Sequence, residues 1–247
     1  MPTYQLKIKL LSETTFGRGD GQAGVVDLEV QHDELGRPYW SGRAIKGVLV
    51  NECADILDML AAHPDTKPDY EDWRDAAGWL FGRPGGAVNA SGCLSFGEAH
   101  LPDDLCRFFA RQFEERVKNE LKQDDSPAEK RRTAAKERER YRKLLLRSIT
   151  TDRSQTALEE DGSAKEHSLR TQRVLMPGLV LFSDLNFHRL PENDRQKGLL
   201  AACVKSLRSG GSRRNRGRGD LHVSLLEDGE DVTQIWFDEY FKKGVQS

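Results

Sequence analysis

The chain has 247 residues, with 38 Lys+Arg against 40 Asp+Glu, a formal net charge of -2, 32% charged residues and a mean hydropathy of -0.67. That length suits one large domain or two small ones with a real core. The charge balance excludes a globally basic nucleic-acid binder, so any polyanion must be met by local basic surface. No apolar run approaches the roughly 18–20 residues that span a bilayer.

Tyr4, Leu6, Ile8 and Leu10 alternate with Gln5, Lys7 and Lys9, which predicts a half-buried strand. The start of the chain lacks the apolar stretch of a signal peptide, so the expectation is a mature domain in the cytoplasm. A charged, glycine-rich loop follows at Gly17-Arg18-Gly19-Asp20-Gly21-Gln22-Ala23-Gly24, then a short extended piece over 25–30 containing Asp27. Asp33-Glu34-Leu35-Gly36-Arg37-Pro38 reads as a turn. Gly42-Arg43-Ala44-Ile45-Lys46-Gly47 opens a helix whose apolar positions Val48, Leu49, Cys53, Ile56, Leu57 and Leu60 recur at steps of three and four, and Pro64 ends it. A second helix is predicted over 70–80, a break at Phe81-Gly82-Arg83-Pro84-Gly85-Gly86, and a strand over 93–101.

Residues 103–147 contain no glycine and are rich in Arg, Lys and Glu. Within them 127–147 reads as one long charged helix ending in Leu144-Leu145-Leu146. The expectation is a helical insertion on a β-rich body, a solvated helix pair held by i,i+4 ion pairs worth about 0.2–0.5 kcal/mol each. Residues 150–172 have few apolar side chains and a central turn at Asp161-Gly162-Ser163, which predicts a long exposed hairpin or loop of the kind that often carries function. Residues 174–187 read as a strand bent at Pro177-Gly178, and 191–207 as a helix with Leu199, Leu200, Cys203, Val204 and Leu207 on one face. Leu221, Val223 and Leu225 then alternate as another strand, and Trp236, Phe237, Tyr240 and Phe241 are expected to cap a core. The order predicts an α+β fold, a ferredoxin-like (RRM-like) antiparallel sheet with helices on one face.

Cys53, Cys93, Cys106 and Cys203 are too far apart for a Cys-x-x-Cys zinc pair and are expected to be reduced, mostly buried thiols. The six histidines are scattered, and neither a nucleophile elbow nor a Walker phosphate loop is present. The stretch most suggestive of function is Gly210-Gly211-Ser212-Arg213-Arg214-Asn215-Arg216-Gly217-Arg218-Gly219-Asp220, between the last long helix and the last strand. Glycine permits positive φ and close approach to a ligand. Arginine adds fixed charge and a planar donor fork that fits phosphate. Together they suit the backbone of a nucleic acid.

Four stretches, in order, resemble the RAMP superfamily of CRISPR-associated proteins, above all the repeated backbone subunit of type III RNA-guided complexes. Gly24-Val25-Val26-Asp27-Leu28-Glu29-Val30, with Gly36-Arg37-Pro38-Tyr39-Trp40-Ser41-Gly42-Arg43-Ala44-Ile45-Lys46-Gly47, is similar to the family's aspartate loop and Pro-Gly-Ser-Ser-Leu-Lys-Gly helix start. Leu80-Phe81-Gly82 and Gly92-Cys93-Leu94-Ser95-Phe96 are similar to its Phe-Gly turn and following strand. Ile149-Thr150-Thr151-Asp152-Arg153 through Val174-Leu175-Met176-Pro177-Gly178 is similar to its thumb hairpin, and Gly210 to Gly219 to its glycine-rich signature. The chain departs from the family in placing Arg43-Ala44 where the paired serines stand, and Trp40-Ser41 for Ile-Pro. Arg43 is the candidate replacement for the serine contacts to RNA.

The resemblance implies a single RNA-binding domain over 1–247, with a helical insertion at about 103–147 and a thumb-like hairpin at about 149–175. It implies a guide-RNA-binding backbone subunit that polymerises along the guide with further effector subunits, and no membrane. Arg18, Arg43, Lys46, Arg153, Arg213, Arg214, Arg216 and Arg218 are the expected RNA contacts. Asp27 is the expected catalytic residue and metal ligand for cleavage of target RNA, with Mg²⁺ or a similar divalent ion. Asp20, Glu29 and Asp33 compete for that role, and Asp33 ranks lower because it fits the turn before Gly36. Leu175 and Met176 are candidates to wedge against bases or simply to pack in the core. Two other readings stand beside this one. One is a non-catalytic scaffold or end-cap subunit of the same complex. The other is a guide-processing endoribonuclease using metal-independent acid–base chemistry, for which no histidine motif is present.

Overall fold

The computed structural model describes residues 2–19, 27–62, 70–83, 91–156, 168–212 and 217–242. Its elements run β1 (Tyr4–Leu10), β2 (Tyr39–Trp40), α1 (Gly42–Ala62), α2 (Tyr70–Phe81), β3 (Leu94–Phe96), β4 (Ala99–His100), α3 (Asp103–Glu120), α4 (Pro127–Ile149), β5 (Thr150–Gln155) and β6 (Arg170–Leu175). Then follow β7 (Val180–Phe187), α5 (Asp194–Ser206), β8 (Leu221–Glu227), β9 (Glu230–Asp231), α6 (Thr233–Trp236) and a π-helical turn, Phe237–Lys242.

β1 is the central strand because its alternation is complete: Leu6, Ile8 and Leu10 are fully buried, while Lys7 and Lys9 are exposed. β7 and β8 pair antiparallel on its two sides, so that Ile8 stands between Leu181 and Val223. The main sheet runs β2-β4-β7-β1-β8-β9, with β3 also on β7. The path β1, α1, β3/β4, β7, α5, β8 is the βαββαβ ferredoxin-like plan, as the sequence predicts. One apolar stripe of α1 (Ile45, Leu49, Cys53, Ile56, Leu60) and one of α5 (Leu199, Leu200, Cys203, Val204) bury against the sheet, with Trp73 and Leu80 of α2 beside them. The carboxy-terminal aromatics close this layer, with Phe241 ring-to-ring with Trp73 at 5.1 Å and with Phe237 at 5.4 Å.

Two predicted strands are each two elements. The 93–101 stretch breaks between β3 and β4, where the Gly97 N–H donates to the Asp184 carbonyl at 2.8 Å and the Ser183 hydroxyl donates to the Gly97 carbonyl at 2.8 Å. The 174–187 stretch breaks at Pro177-Gly178, where Gly178 takes φ 91°. That turn lets β6 leave the main sheet and pair with β5 as a separate hairpin, Thr150 opposite Leu175 through Gln155 opposite Arg170. The last long helix starts at Asp194 rather than 191 because the Asn193 side chain caps it, accepting from the Gln196 N–H at 3.0 Å.

The charged segment is two helices. α3 rests on the core only through half-buried Leu105, Cys106 and Phe109, and the Tyr141 hydroxyl of α4 donates to the Phe109 carbonyl at 3.0 Å. Ser126 and Glu129 form a capping box at the start of α4, with Pro127 in the first turn. Leu145 and Leu146 are buried, so α4 is anchored at the end that enters β5. All four cysteines are free, and Cys53, Cys93 and Cys203 are buried. No helix among the described residues is long and apolar enough to cross a membrane.

Candidate nucleic-acid interface

The glycine-rich loop is clamped to the segment after β1. The Ser212 N–H donates to the Thr15 carbonyl at 2.8 Å, the Gly219 N–H to the Glu13 carbonyl at 2.9 Å, and the Gly210 N–H to the Gly219 carbonyl at 2.9 Å. Gly211 takes φ 83° with the Thr15 carbonyl 2.6 Å from where a Cβ would stand, so both its conformation and its space require glycine. Arg213, Arg214 and Arg216 lie outside the described residues. Arg218 is described: its Nε is 3.7 Å from the Glu13 carboxylate, and its buried Nη1 has no hydrogen-bond partner among the described residues. An unpartnered guanidinium N–H suits an anion.

Beside this clamp the Phe16 and Trp40 rings stack, centroids 4.5 Å apart and 11° from parallel. They line a cavity of about 230 Å³ with Gly17, Gln31, Ala44, Gly211 and Ser212. The cavity joins the glycine-rich loop to the start of α1. There the Ser41 carbonyl accepts the Ala44 and Ile45 N–H groups, and no acidic residue occupies the first turn. The positive end of the helix dipole is thus uncompensated, an arrangement that favours an anion. Arg43 is exposed and Lys46 half-buried on that turn, neither with a polar partner among the described residues.

Asp27 belongs to a second group. Its segment lies between two others: Gly17 bridges Val30, the Arg18 N–H donates to the Glu29 carbonyl at 3.0 Å, and Leu28 bridges Gln172 of β6. The Asp27 N–H donates to the Thr171 carbonyl at 2.7 Å, and its Oδ2 accepts the Thr171 N–H at 2.6 Å. The side chain is exposed, and Oδ1 has no partner among the described residues. The competing carboxylates are occupied. Glu29 is buried, accepting from Arg173 at 2.9 Å and from the Val30 N–H at 3.0 Å. Asp33 accepts the Leu35 and Arg37 N–H groups at 2.9 and 3.0 Å and the Arg37 Nε at 2.5 Å, so it builds the turn. Asp20 lies outside the described residues.

Glu13 ties the clamp to the hairpin. Arg153 of β5 donates from Nε to its Oε1 at 2.9 Å, and the same carboxylate faces Arg218. The Arg153 hydrogen bond holds the Glu13 carboxyl below its ordinary value, against the opposing effect of burial. The structure thus gathers Arg153 and Arg218 on one acid, sets Arg18 beside the Asp27 segment, and places Arg43 and Lys46 on a separate helix turn. Glu13, Thr171 and the Phe16–Trp40 stack escape sequence reasoning, because a lone acid between Ser12 and Thr14 and two aromatics far apart in sequence have no periodic signal. Leu175 is fully buried, so of the two wedge candidates it is a core residue, while Met176 is 37% exposed.

No cluster of three or more metal-ligating side chains occurs among the described residues. Mg²⁺ is commonly held by one or two carboxylates with the remaining positions filled by substrate phosphates and water. The free Oδ1 of Asp27 fits that mode.

A match to the RAMP superfamily runs over residues 7–222. Among solved structures, a chain of the type III-B Cmr-beta cryo-EM structure in the apo state is similar at TM-score 0.58 and 15% identity, covering 92% of this chain and 98% of that one. A chain of type III-B Cmr-beta bound to cognate target RNA is similar at TM-score 0.56 and 14% identity, covering 90% and 96%. No curated protein sequence matches. With the ferredoxin-like sheet, the clamped glycine-rich loop and a family match over most of its length, the chain belongs to the RAMP superfamily.

Proposed function

We propose that this chain is a guide-RNA-binding backbone subunit of a type III CRISPR effector complex, working in the cytoplasm, and that it cuts target RNA beside its β5–β6 hairpin through Asp27. The observation that carries this reading is one carboxylate, with an oxygen free among the described residues, fixed to the hairpin by Thr171. The similarity to chains of Cmr-beta assemblies, one bound to cognate target RNA, supports the choice of complex and polymer.

Arg43 and Lys46 hold guide phosphates at the start of α1, Arg18, Arg153 and Arg218 add further phosphate contacts, and Arg213, Arg214 and Arg216 are proposed as contacts from their sequence alone. Such contacts follow backbone and shape and leave sequence to base pairing, a logic known from another RNA-guided system. Asp27 is the residue that would hold Mg²⁺. The ion, when bound, supplies charge stabilisation at the scissile phosphate. Thr171 fixes the direction of the carboxylate, and the hairpin sets which nucleotide lies beside it.

The binding half is tested with guide RNA and the full chain over a range of salt. Arg43→Ala with Lys46→Ala should weaken binding for every guide sequence and flatten the log–log salt slope by about 0.7 for each phosphate no longer neutralised. An unchanged affinity and slope contradicts the assignment.

A further inference from the structure

The helical insertion carries a charge pattern that the sheet-side site does not use. α4 holds nine basic residues against three acidic ones in a chain whose net charge is -2. Arg132, Lys136, Arg140, Lys143 and Arg147 are all exposed. At 3.6 residues per turn they fall within about 80° of one another around the axis, and at 1.5 Å per residue they run about 22 Å along it. Buried Tyr141 and Leu145 lie on the opposite side.

The expected intrahelical ion pairs are present on α4, but they cover only part of this stripe. Arg140 pairs with Glu137 at 2.6 Å and Lys143 with Glu139 at 3.2 Å. Arg132, Lys136 and Arg147 make no ion pair or hydrogen bond among the described residues. Arg132 and Lys136, Lys136 and Arg140, and Lys143 and Arg147 are like charges four residues apart, which oppose one another on a helix. The helix dipole offsets this repulsion only at Arg147, in the last turn, where it favours a cation. The stripe therefore works against the helix that carries it, and a polyanion would relieve the repulsion.

We infer that the outer face of α4 is a second RNA-backbone-binding surface, separate from the glycine-rich loop and the start of α1. The occupant is a phosphate chain because a row of cations one helical turn apart matches a row of regularly spaced anions. Direct continuity adds to this: Arg147 stands three residues before Thr150, where α4 becomes β5 without a loop, so a strand following the stripe arrives at the hairpin. The inference rests on the proposed function only for the class of polymer.

The test uses the full chain with single-stranded RNA of mixed sequence, read by fluorescence anisotropy over a range of salt. Circular dichroism and light scattering report folding and self-association. Arg132→Glu, Lys136→Glu and Arg147→Glu together should weaken RNA binding and lower the log–log salt slope by about 2, at roughly 0.7 per phosphate. The charge-keeping set Arg132→Lys, Lys136→Arg and Arg147→Lys should leave both unchanged. A folded reversal variant with unchanged affinity and slope overturns the inference. So does a defect confined to self-association, which would give the stripe to an acidic face of a second copy. The Arg43→Ala, Lys46→Ala variant runs in parallel. Binding abolished there and kept in the stripe variant sinks the stripe and leaves the proposed function standing, and the reverse keeps the stripe and sinks the α1 assignment.

Discussion

Thr171 holds Asp27 twice, accepting its N–H at 2.7 Å and donating its own N–H to the carboxylate at 2.6 Å. The residue proposed to act on RNA is therefore also part of the seat of the β5–β6 hairpin. The two roles separate by substitution. Asp27→Asn keeps an acceptor for Thr171, whereas Asp27→Ala removes it and should cost about 1 kcal/mol. In a protein of this size that is a fall in melting temperature of about 2–4 °C. Equal melting of the two variants would show that the side-chain bond does not seat the hairpin.

Glu13 should act as an internal competitor for RNA, because it occupies Arg153 and faces Arg218. Glu13→Gln should raise RNA affinity at low salt, and a fall would contradict this. Its titration gives a second readout. The folded carboxyl titrates below the ordinary value, so its stabilising effect is complete above the unfolded value of about 4.3 and is lost as pH falls through the lower folded value. Melting temperatures taken below about pH 5 should drop less in Glu13→Gln than in wild type.

Two glycines of α1 should respond in opposite ways. A Cβ on Gly42 would stand 2.0 Å from the Phe96 carbonyl oxygen and 2.8 Å from that of Gly97, both backbone atoms. Gly42→Ala should cost about 3 kcal/mol or prevent folding. A Cβ on Gly47 meets nothing within 4 Å. Gly47→Ala should stabilise the helix by roughly 0.5–1 kcal/mol. If guide RNA passes over that turn, the same variant should bind it more weakly. Thermal melting beside RNA titration separates the two effects, and tighter binding in Gly47→Ala would argue against RNA at that turn.

The layered fold was legible where burial is one-sided. The alternation in β1, the stripes of α1 and α5 and the alternation in β8 all report a single buried face, and each became the expected element. Strand breaks were less legible, because they depend on tertiary partners: Asp184 accepting from Gly97, and β5 drawing β6 away after Leu175. The aspartate could be ranked above Asp33 from turn chemistry, but only packing shows that Glu29 is consumed by Arg173. The stripe on α4 was visible as composition alone. Its one-sidedness needed the helix bounds and the burial of Tyr141 and Leu145.

The most direct test of the account is target-RNA cleavage by the assembled complex with wild-type chain and with Asp27→Asn, guide binding being measured in both. The account predicts that cutting is abolished in Asp27→Asn while guide binding is kept, and that wild-type cutting stops when divalent ions are chelated. Unchanged cutting by Asp27→Asn would contradict it and leave the chain as an RNA-binding scaffold, with the nuclease in a neighbouring subunit.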